Sequence, residues 1–504
     1  MITRPSWFAA ALVVVAASAP QALAQVQPLT VDMSNVRSSR LENGLELITI
    51  EDHSVPIVTV EIVARAGSFV EPPELSGLSH LYEHMFFKGN ATIPNQEAYL
   101  ARMRELGIRF NGTTSEERVN YFFTLESSRL REGMVFMRDA IRTPLFDDAE
   151  LTREREVVIG EYDRNEASPY YHLSRQVDEY LWRPFATRKN PLGDRRTILS
   201  ATREQMVFFK DTYYVPNNAA LVVAGDVDPA RATELAHELF GDWRRAPDPF
   251  VAHPRVTFPP LRRNQVVYVD KPSRVAVLQY SWHGPDVMRD RAATYAADVF
   301  SFILGQGASA FQNALVDTGV TLQAGLSYYT QANVGPISLS AATQPEKVLQ
   351  AMQAIDEQVA RFDDADYFTD EQLETAKTLL AVSRLQERER TSDLAHNVSF
   401  WWACCGLDYY MGYLDGLRAV TRADIQRYVR TYVQGKPFVL GVLLDGAERQ
   451  RVSLGMDEVA RRVRARLVPM VPSPLPGDPV VPEPRSRARP GTARAIRWTR
   501  GGAR

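Results

Sequence analysis

The chain has 504 residues, 45% of them hydrophobic and 24% charged, with a formal net charge of −3. This is the balance of a folded globular protein with room for two to three domains. It excludes any general case for nucleic acid or an acidic lipid surface as partner.

In chain order, the first 24 residues read as a cleavable signal peptide. Arg4 gives a positive start, Phe8 to Ala19 is an apolar run too short to span a bilayer as a mature helix, and Ala22-Leu23-Ala24 is a small-residue cleavage site. No cysteine follows, so lipidation there is not expected. No later stretch is long and apolar enough to cross a membrane, so the mature chain is expected to be exported without a stable span. In a bacterium the expected location is the periplasm. Strands follow from Ser39 to Ala66. Asn43-Gly44 marks a hairpin turn, and Val55 to Ala66 is β-branched with partial alternation, a strand with one buried face. Gly67, Pro72, Pro73 and Gly77 form a loop into a helix starting at about Leu78. Helical patterns lie near 96–107, 126–142 and 148–166. Asn111 to Thr124 reads as an edge strand entered by a turn. Strands and helices mixed in this way predict an α+β fold.

The helix at Leu78 carries His80-Leu81-Tyr82-Glu83-His84. Residues four apart share a helix face, so both imidazoles can reach one divalent metal, with the Glu83 carboxylate beside them. The order His-x-x-Glu-His inverts the His-Glu-x-x-His signature of zinc peptidases. A tetrahedral catalytic zinc needs a third protein ligand and one open position. The charged helix from Leu151 to Asp163 holds Glu154, Glu156 and Glu161. Glu154 and Glu161 are two turns apart on one face, so either could be that ligand.

The second half repeats the first. Thr202-Arg203, Thr212-Tyr213, Leu221, Val223 and Asp226 recur as Thr421-Arg422, Thr431-Tyr432, Leu440, Val442 and Asp445, all displaced by 219 residues. The strand at 55–66 aligns with Arg274–Pro285 at the same displacement. His80, Glu83 and His84 then fall on Val299, Phe302 and Ile303, so the copy has no metal site of this type. The expected division is a signal peptide at 1–24, a metal-bearing domain at 25–245, a proline-rich extended linker at 246–262, a homologous domain at 263–467 and a disordered Pro/Arg-rich tail at 468–504. The only cysteines, Cys404 and Cys405, are expected to be a buried, apolar, unbonded pair.

His80-x-x-Glu83-His84 followed by Glu161 resembles the pitrilysin/insulinase family of zinc metallopeptidases. His84-Met85-Phe86-Phe87-Lys88-Gly89, Asn111-Gly112-Thr113-Thr114 and Tyr214-Val215-Pro216-Asn217-Asn218 extend the resemblance over roughly residues 36 to 450. It implies two homologous α+β domains, each a mainly antiparallel sheet packed with helices, facing each other as half of a clamshell chamber. It implies one Zn²⁺ per chain on His80, His84 and Glu161, with Glu83 as general base and Glu154 in a supporting active-site role. It also implies that a peptide substrate adds as a strand along Asn111, Gly112 and Thr113. The expected activity is zinc-dependent endopeptidase cleavage of short or unfolded peptides.

One departure bears on partners. Active members carry an Arg, and a Tyr seven residues on, after a Gly-rich loop in the second half. Here the loop is Gly305–Ser309 and the matching positions are Val316 and Gln323, which cannot replace that pair. A homologous zinc-less subunit supplying the Arg/Tyr pair is therefore expected, as in the split assemblies of mitochondrial processing peptidase and bacterial pairs. The alternatives are a single chain with weaker substrate clamping, a non-catalytic structural or peptide-binding subunit, and, more distantly, a metal-storage protein.

Overall fold

The computed structural model describes residues 32–472 and Glu483. Residues 1–31, which include the expected signal peptide, and residues 473–482 and 484–504 of the tail lie outside the described residues.

The first half builds a six-stranded sheet from β1 (Val36–Arg40), β2 (Glu46–Glu51), β3 (Ile57–Ala64), β4 (Arg109–Thr114), β5 (Val119–Glu126) and β6 (Ala219–Gly225), in the order β1-β2-β6-β3-β5-β4. Only the β2–β6 pair is parallel. The Asn43-Gly44 turn lies between β1 and β2 and sets Arg40 opposite Glu46. The second half builds its sheet from β7 (Gln265–Val269), β8 (Ala276–His283), β9 (Gln323–Tyr328), β10 (Pro336–Thr343), β11 (Val439–Leu443) and β12 (Arg466–Val468), in the order β12-β7-β11-β8-β10-β9. Five strands of each sheet match in order, and β3 and β8 are displaced by 219 residues end to end. The sixth differs. β1 comes from the chain's start and runs antiparallel to its neighbour, whereas β12 comes from the end and runs parallel. The protein is α+β, with two like sheets packed by helices.

Six of the helices position the site and join the halves. Helix α1 (Leu78–Phe86) and helix α2 (Asp148–Glu166) lie against the first sheet's inner core. Helix α3 (Pro169–Leu181) belongs to the first half by sequence but packs on β7, β8 and β11 of the second, through Leu173, Val177 and Leu181. In the second half, α4 (Arg291–Leu304) and α5 (Asp370–Gln386) pack against each other, and α6 (Thr391–Cys404) crosses back onto β3 and β6 through Leu394, Ala395, Val398 and Trp402. Each half thus covers the outer face of the other's sheet. This corrects the expectation of a one-faced β3: Val58 to Ala64 are all buried, because α6 seals the face that would otherwise meet water.

The proline-rich stretch is more than an extended connection. It holds a short helix, Pro249–Ala252, and buries Val256 and Phe258, the latter against Trp182 at 5.0 Å. Ordered contacts also run past 468. Tyr180 donates to the Pro469 carbonyl at 2.5 Å, Gln176 and Val471 exchange two hydrogen bonds of 2.6 and 2.7 Å, and Arg188 grips Glu483 through two bonds of 2.8 Å. Cys404 and Cys405 are buried as expected, but they are joined by a disulfide rather than unbonded. Among the described residues no helix is long and apolar enough to cross a membrane.

Candidate metal centre

Helix α1 is fixed from one side. Leu78, Leu81, Tyr82, Met85 and Phe86 are buried, Tyr82 stacks on Tyr214 at 4.0 Å and Phe86 stacks on Tyr121 at 3.7 Å. His80, Glu83 and His84 are partly exposed. The helix lacks a side-chain cap at its own first residue. Instead the buried Glu71 carboxylate accepts from the N–H groups of Gly77 at 2.7 Å and Ser79 at 2.6 Å. It thus satisfies orphan donors at the positive end of the helix dipole. Burial pushes the Glu71 carboxyl up to about 7.

Helix α2 is capped by Asp147 and anchored by Leu151, Val158 and Tyr162. It presents Glu154 and Glu161 to α1. The Glu161 Oε2 atom lies 3.5 Å from His80 Nε2 and 3.7 Å from His84 Nε2. The three donor atoms fall within 4.8 Å of one another, and no other such His/Cys/Asp/Glu group occurs among the described residues. Tetrahedral ligands about 2.0–2.1 Å from a zinc ion sit about 3.4 Å apart, so these side chains fit the metal with little movement. The two imidazole rings are nearly perpendicular, at 86°. Burial and the neighbouring His84 push His80 down to about 4, which favours the neutral imidazole a metal requires. His80 Nδ1 is buried with no hydrogen-bond partner.

Glu154 stands behind the donor set. Its Oε2 lies 3.1 Å from His84 Nδ1, and its Oε1 accepts from Lys88 Nζ at 2.6 Å. Burial raises its carboxyl, but the bonds to His84 and Lys88 outweigh that and hold it below the usual range. Carboxylate-to-imidazole contacts of this kind orient a ligand and raise its basicity. Glu154 thus stands behind His84, outside the cluster of three donor atoms, and the exposed Glu156 is likewise not part of it.

Glu83 faces β4. Thr114 Oγ1 donates to its Oε2 at 2.6 Å, and burial raises its carboxyl. A Cβ on Gly112 would come within 2.7 Å of Glu83 Cγ, so only glycine lets the strand approach this closely. β4 is the outermost strand of its sheet, with Asn111 and Thr113 exposed. Its outer edge offers main-chain groups to an extended peptide directly beside the carboxylate. Sequence reasoning missed Glu71, and it gave Lys88 and Thr114 no role of their own. The run Lys88-Gly89 and the span Asn111–Thr114 pointed near the last two, and nothing in the sequence singled out Glu71.

The matching region of the second half is apolar. Val299 and Ile303 are buried in its core and Phe302 is 36% exposed. Val316 packs against that core, and Gln323 opens β9 opposite Ala342.

Two family models match this chain: "Insulinase (Peptidase family M16)" over residues 46–194 and "Peptidase M16 inactive domain" over residues 200–380. The chain belongs to the insulinase family, peptidase family M16. A Rickettsia felis protein named as an uncharacterized zinc protease is 24% identical over 377 residues, covering 74% of this chain and 88% of the relative. The beta subunit of bovine mitochondrial-processing peptidase is 30% identical over 226 residues, covering 44% of each. A crystal structure of a Helicobacter pylori protease superposes with a TM-score of 0.73 at 20% identity, over 81% of this chain and 99% of that one. M16 relatives are thus named as zinc proteases. The "inactive domain" model covers α4, the helix whose Val299, Phe302 and Ile303 stand in place of the donor set.

Proposed function

We propose that this M16 protein is a zinc-dependent endopeptidase acting on short or unfolded peptides, with His80, His84 and Glu161 as ligands. The observation that carries the reading is the juxtaposition of three donor atoms within 4.8 Å with a carboxylate that also touches an edge strand. A zinc ion held there supplies Lewis acidity, polarising the scissile carbonyl and lowering the pKa of water. Glu83 takes the proton of the attacking water and passes it to the leaving amine. Thr114 holds Glu83 by one oxygen and leaves the other for that proton. The substrate lies extended on β4, paired through main-chain groups at Asn111 and Thr113, and Gly112 keeps the strand close to the base. Glu154 and Lys88 keep His84 oriented. The decisive variant is Glu83→Gln: it should keep its zinc and lose peptide hydrolysis. Near-normal turnover would remove Glu83 as the base and favour a non-catalytic subunit.

The chain is further proposed to be exported to the periplasm by its first 24 residues and to work beside a homologous zinc-less subunit. Val316 and Gln323 support the latter, since neither offers the charge or phenol needed to hold a substrate over the metal. Pull-down from periplasmic extract, then fluorogenic-peptide assays with and without the co-purified chain, tests it. Full activity of the isolated chain would count against the partner.

A further inference from the structure

The turn Ser115–Arg118 joins β4 to β5 and begins one residue past Thr114, the residue bonded to Glu83. Its own half holds it through the backbone. Ser68 N–H donates to the Ser115 carbonyl at 3.3 Å and Phe69 N–H to the Glu116 carbonyl at 2.8 Å. The closeness requires Gly67, where a Cβ would sit 2.1 Å from the Ser115 oxygen. The other grip comes from the second half. The Glu117 carboxylate accepts from Ala332 N–H at 2.7 Å, and from Asn333 N–H and Nδ2 at 2.9 Å each. The loop so held, Thr330–Val334, connects β9 to β10. Its carbonyls in turn accept from the buried Lys189 ammonium of the first half, at 2.9 Å from Asn333 and 3.0 Å from Val334, while the Gln331 side chain accepts from the same ammonium. One residue on, Arg118 Nη1 donates to the His396 carbonyl at 2.9 Å and to Ser399 Oγ at 3.1 Å, both on α6.

The tip of the β4–β5 hairpin is therefore clamped by charge-assisted bonds, about twice as strong as neutral ones. An anion of the first half takes the loop's N–H groups and a cation of the first half takes its carbonyls. Directly beside that tip, β4 carries Gly112 and Thr114, which both lie against Glu83. A shift at the tip is a shift of the strand, because β4 has a neighbour on one side only.

We propose that Glu117 is a positioning residue: by tying the β4–β5 turn to the Thr330–Val334 loop, it lets the docked second half set where β4 lies against Glu83. Its consequence for turnover rests on the peptidase reading above; its consequence for β4 does not. The second half, with no donor set of its own, would then complete the site by holding the substrate strand in register.

The test uses full-length, zinc-loaded protein and the variants Glu117→Ala and Glu117→Gln. Three quantities are read: zinc per chain, amide hydrogen exchange in residues 110–116 against the rest of both sheets, and kcat and KM on a fluorogenic peptide. In Glu117→Ala exchange should quicken in 110–116 while the β2, β3 and β8 amides keep their rates and zinc stays at wild-type content. The kcat/KM should fall about 10- to 100-fold, the scale of a misplacement near 1 Å. Glu117→Gln, which keeps one acceptor oxygen, should fall between. Unchanged exchange in 110–116 overturns the proposal. So does exchange that rises equally throughout both sheets in both variants, which would make Glu117 a general stabiliser. If wild type hydrolyses no peptide while 110–116 still loosens locally, the peptidase reading fails and the control of β4 stands.

Discussion

Helices α1 and α4 follow equivalent strands in equivalent sheets, yet one carries the candidate metal centre and the other carries core. In α1 the residues at 80, 83 and 84 are His, Glu and His and stay partly open beside α2. At the repeat-related positions in α4, Val299 and Ile303 turn into the core and Phe302 is left at the surface. The partner helices differ in the same sense. α2 offers Glu154 and Glu161 to α1, while α5 offers Leu373, Ala376 and Leu380 to α4. A frame of strands thus tolerates either chemistry. What decides is whether the facing pair of helices supplies polar atoms to each other or apolar area.

The largest expected effects break this contrast at its centre. His80→Ala or Glu161→Ala should leave the purified protein without zinc by elemental analysis and without hydrolysis. Glu83→Gln should keep zinc and lose about 10²- to 10⁴-fold in turnover, the usual range for general acid–base help. Phe302→Ala, at the place equivalent to Glu83, should leave peptide hydrolysis within about twofold, as expected of a surface substitution. A large loss of turnover in Phe302→Ala with its fold intact would mean that the second helix pair also meets the substrate. Next in size is Glu154→Gln. It keeps the shape but loses the charge on His84 Nδ1, and zinc affinity should drop about 10- to 100-fold in a competition titration.

The contrast was readable in the chain because both signals are local. His-x-x-Glu-His declares itself by helical spacing, and the 219-residue displacement carries those positions onto apolar residues. The edge strand was readable only in part: the alternation read Asn111 to Thr124 as one strand, whereas the chain turns at Ser115–Arg118 and makes two, β4 at the edge and β5 inside it. Three features were not, each for a physical reason. The amphipathic patterns of α3 and α6 show that each has a face to bury but not which sheet it covers, so the exchange between halves was invisible and β3 was given one buried face instead of two. Glu71 sits among turns and prolines, where an acid ordinarily meets solvent, and only the folded chain brings it under the helix end. The Cys404–Cys405 bond depends on local backbone shape at the end of α6, which two adjacent cysteines do not specify.

The exchanged helices sharpen the comparison further. Leu173 in α3 and Leu394 in α6 are both buried on the other half's sheet. Truncation of either to Ala should cost about 2–5 kcal/mol. Because each half is roofed by the other, both variants should unfold in a single calorimetric transition shifted to lower temperature. Two separated transitions would show the halves to be independent, with α3 and α6 serving only as surface covers.

The smallest effect concerns Glu71, which has no counterpart role in the second half: α4 is capped by Asp290, its own N-cap residue. Burial raises the Glu71 carboxyl from 4.5 to about 7 in the folded protein. Between those values the native state holds a proton that the unfolded chain has released, so this group makes stability fall as pH rises from about 4.5 to about 7, and adds no slope beyond. Glu71→Gln removes that titration while keeping a side-chain oxygen for one of the two N–H groups. The difference in unfolding free energy between Glu71→Gln and wild type should therefore move in the variant's favour as pH rises from 5 to 7.5, and then level off. The variant still forfeits the negative charge at the α1 N-terminus, worth about 0.3–1 kcal/mol in ordinary settings, so the two curves need not cross. The slope of their difference is the discriminating quantity. A flat difference across that window would mean that Glu71 is ionised throughout, held by its two N–H bonds and the helix dipole against the pull of burial.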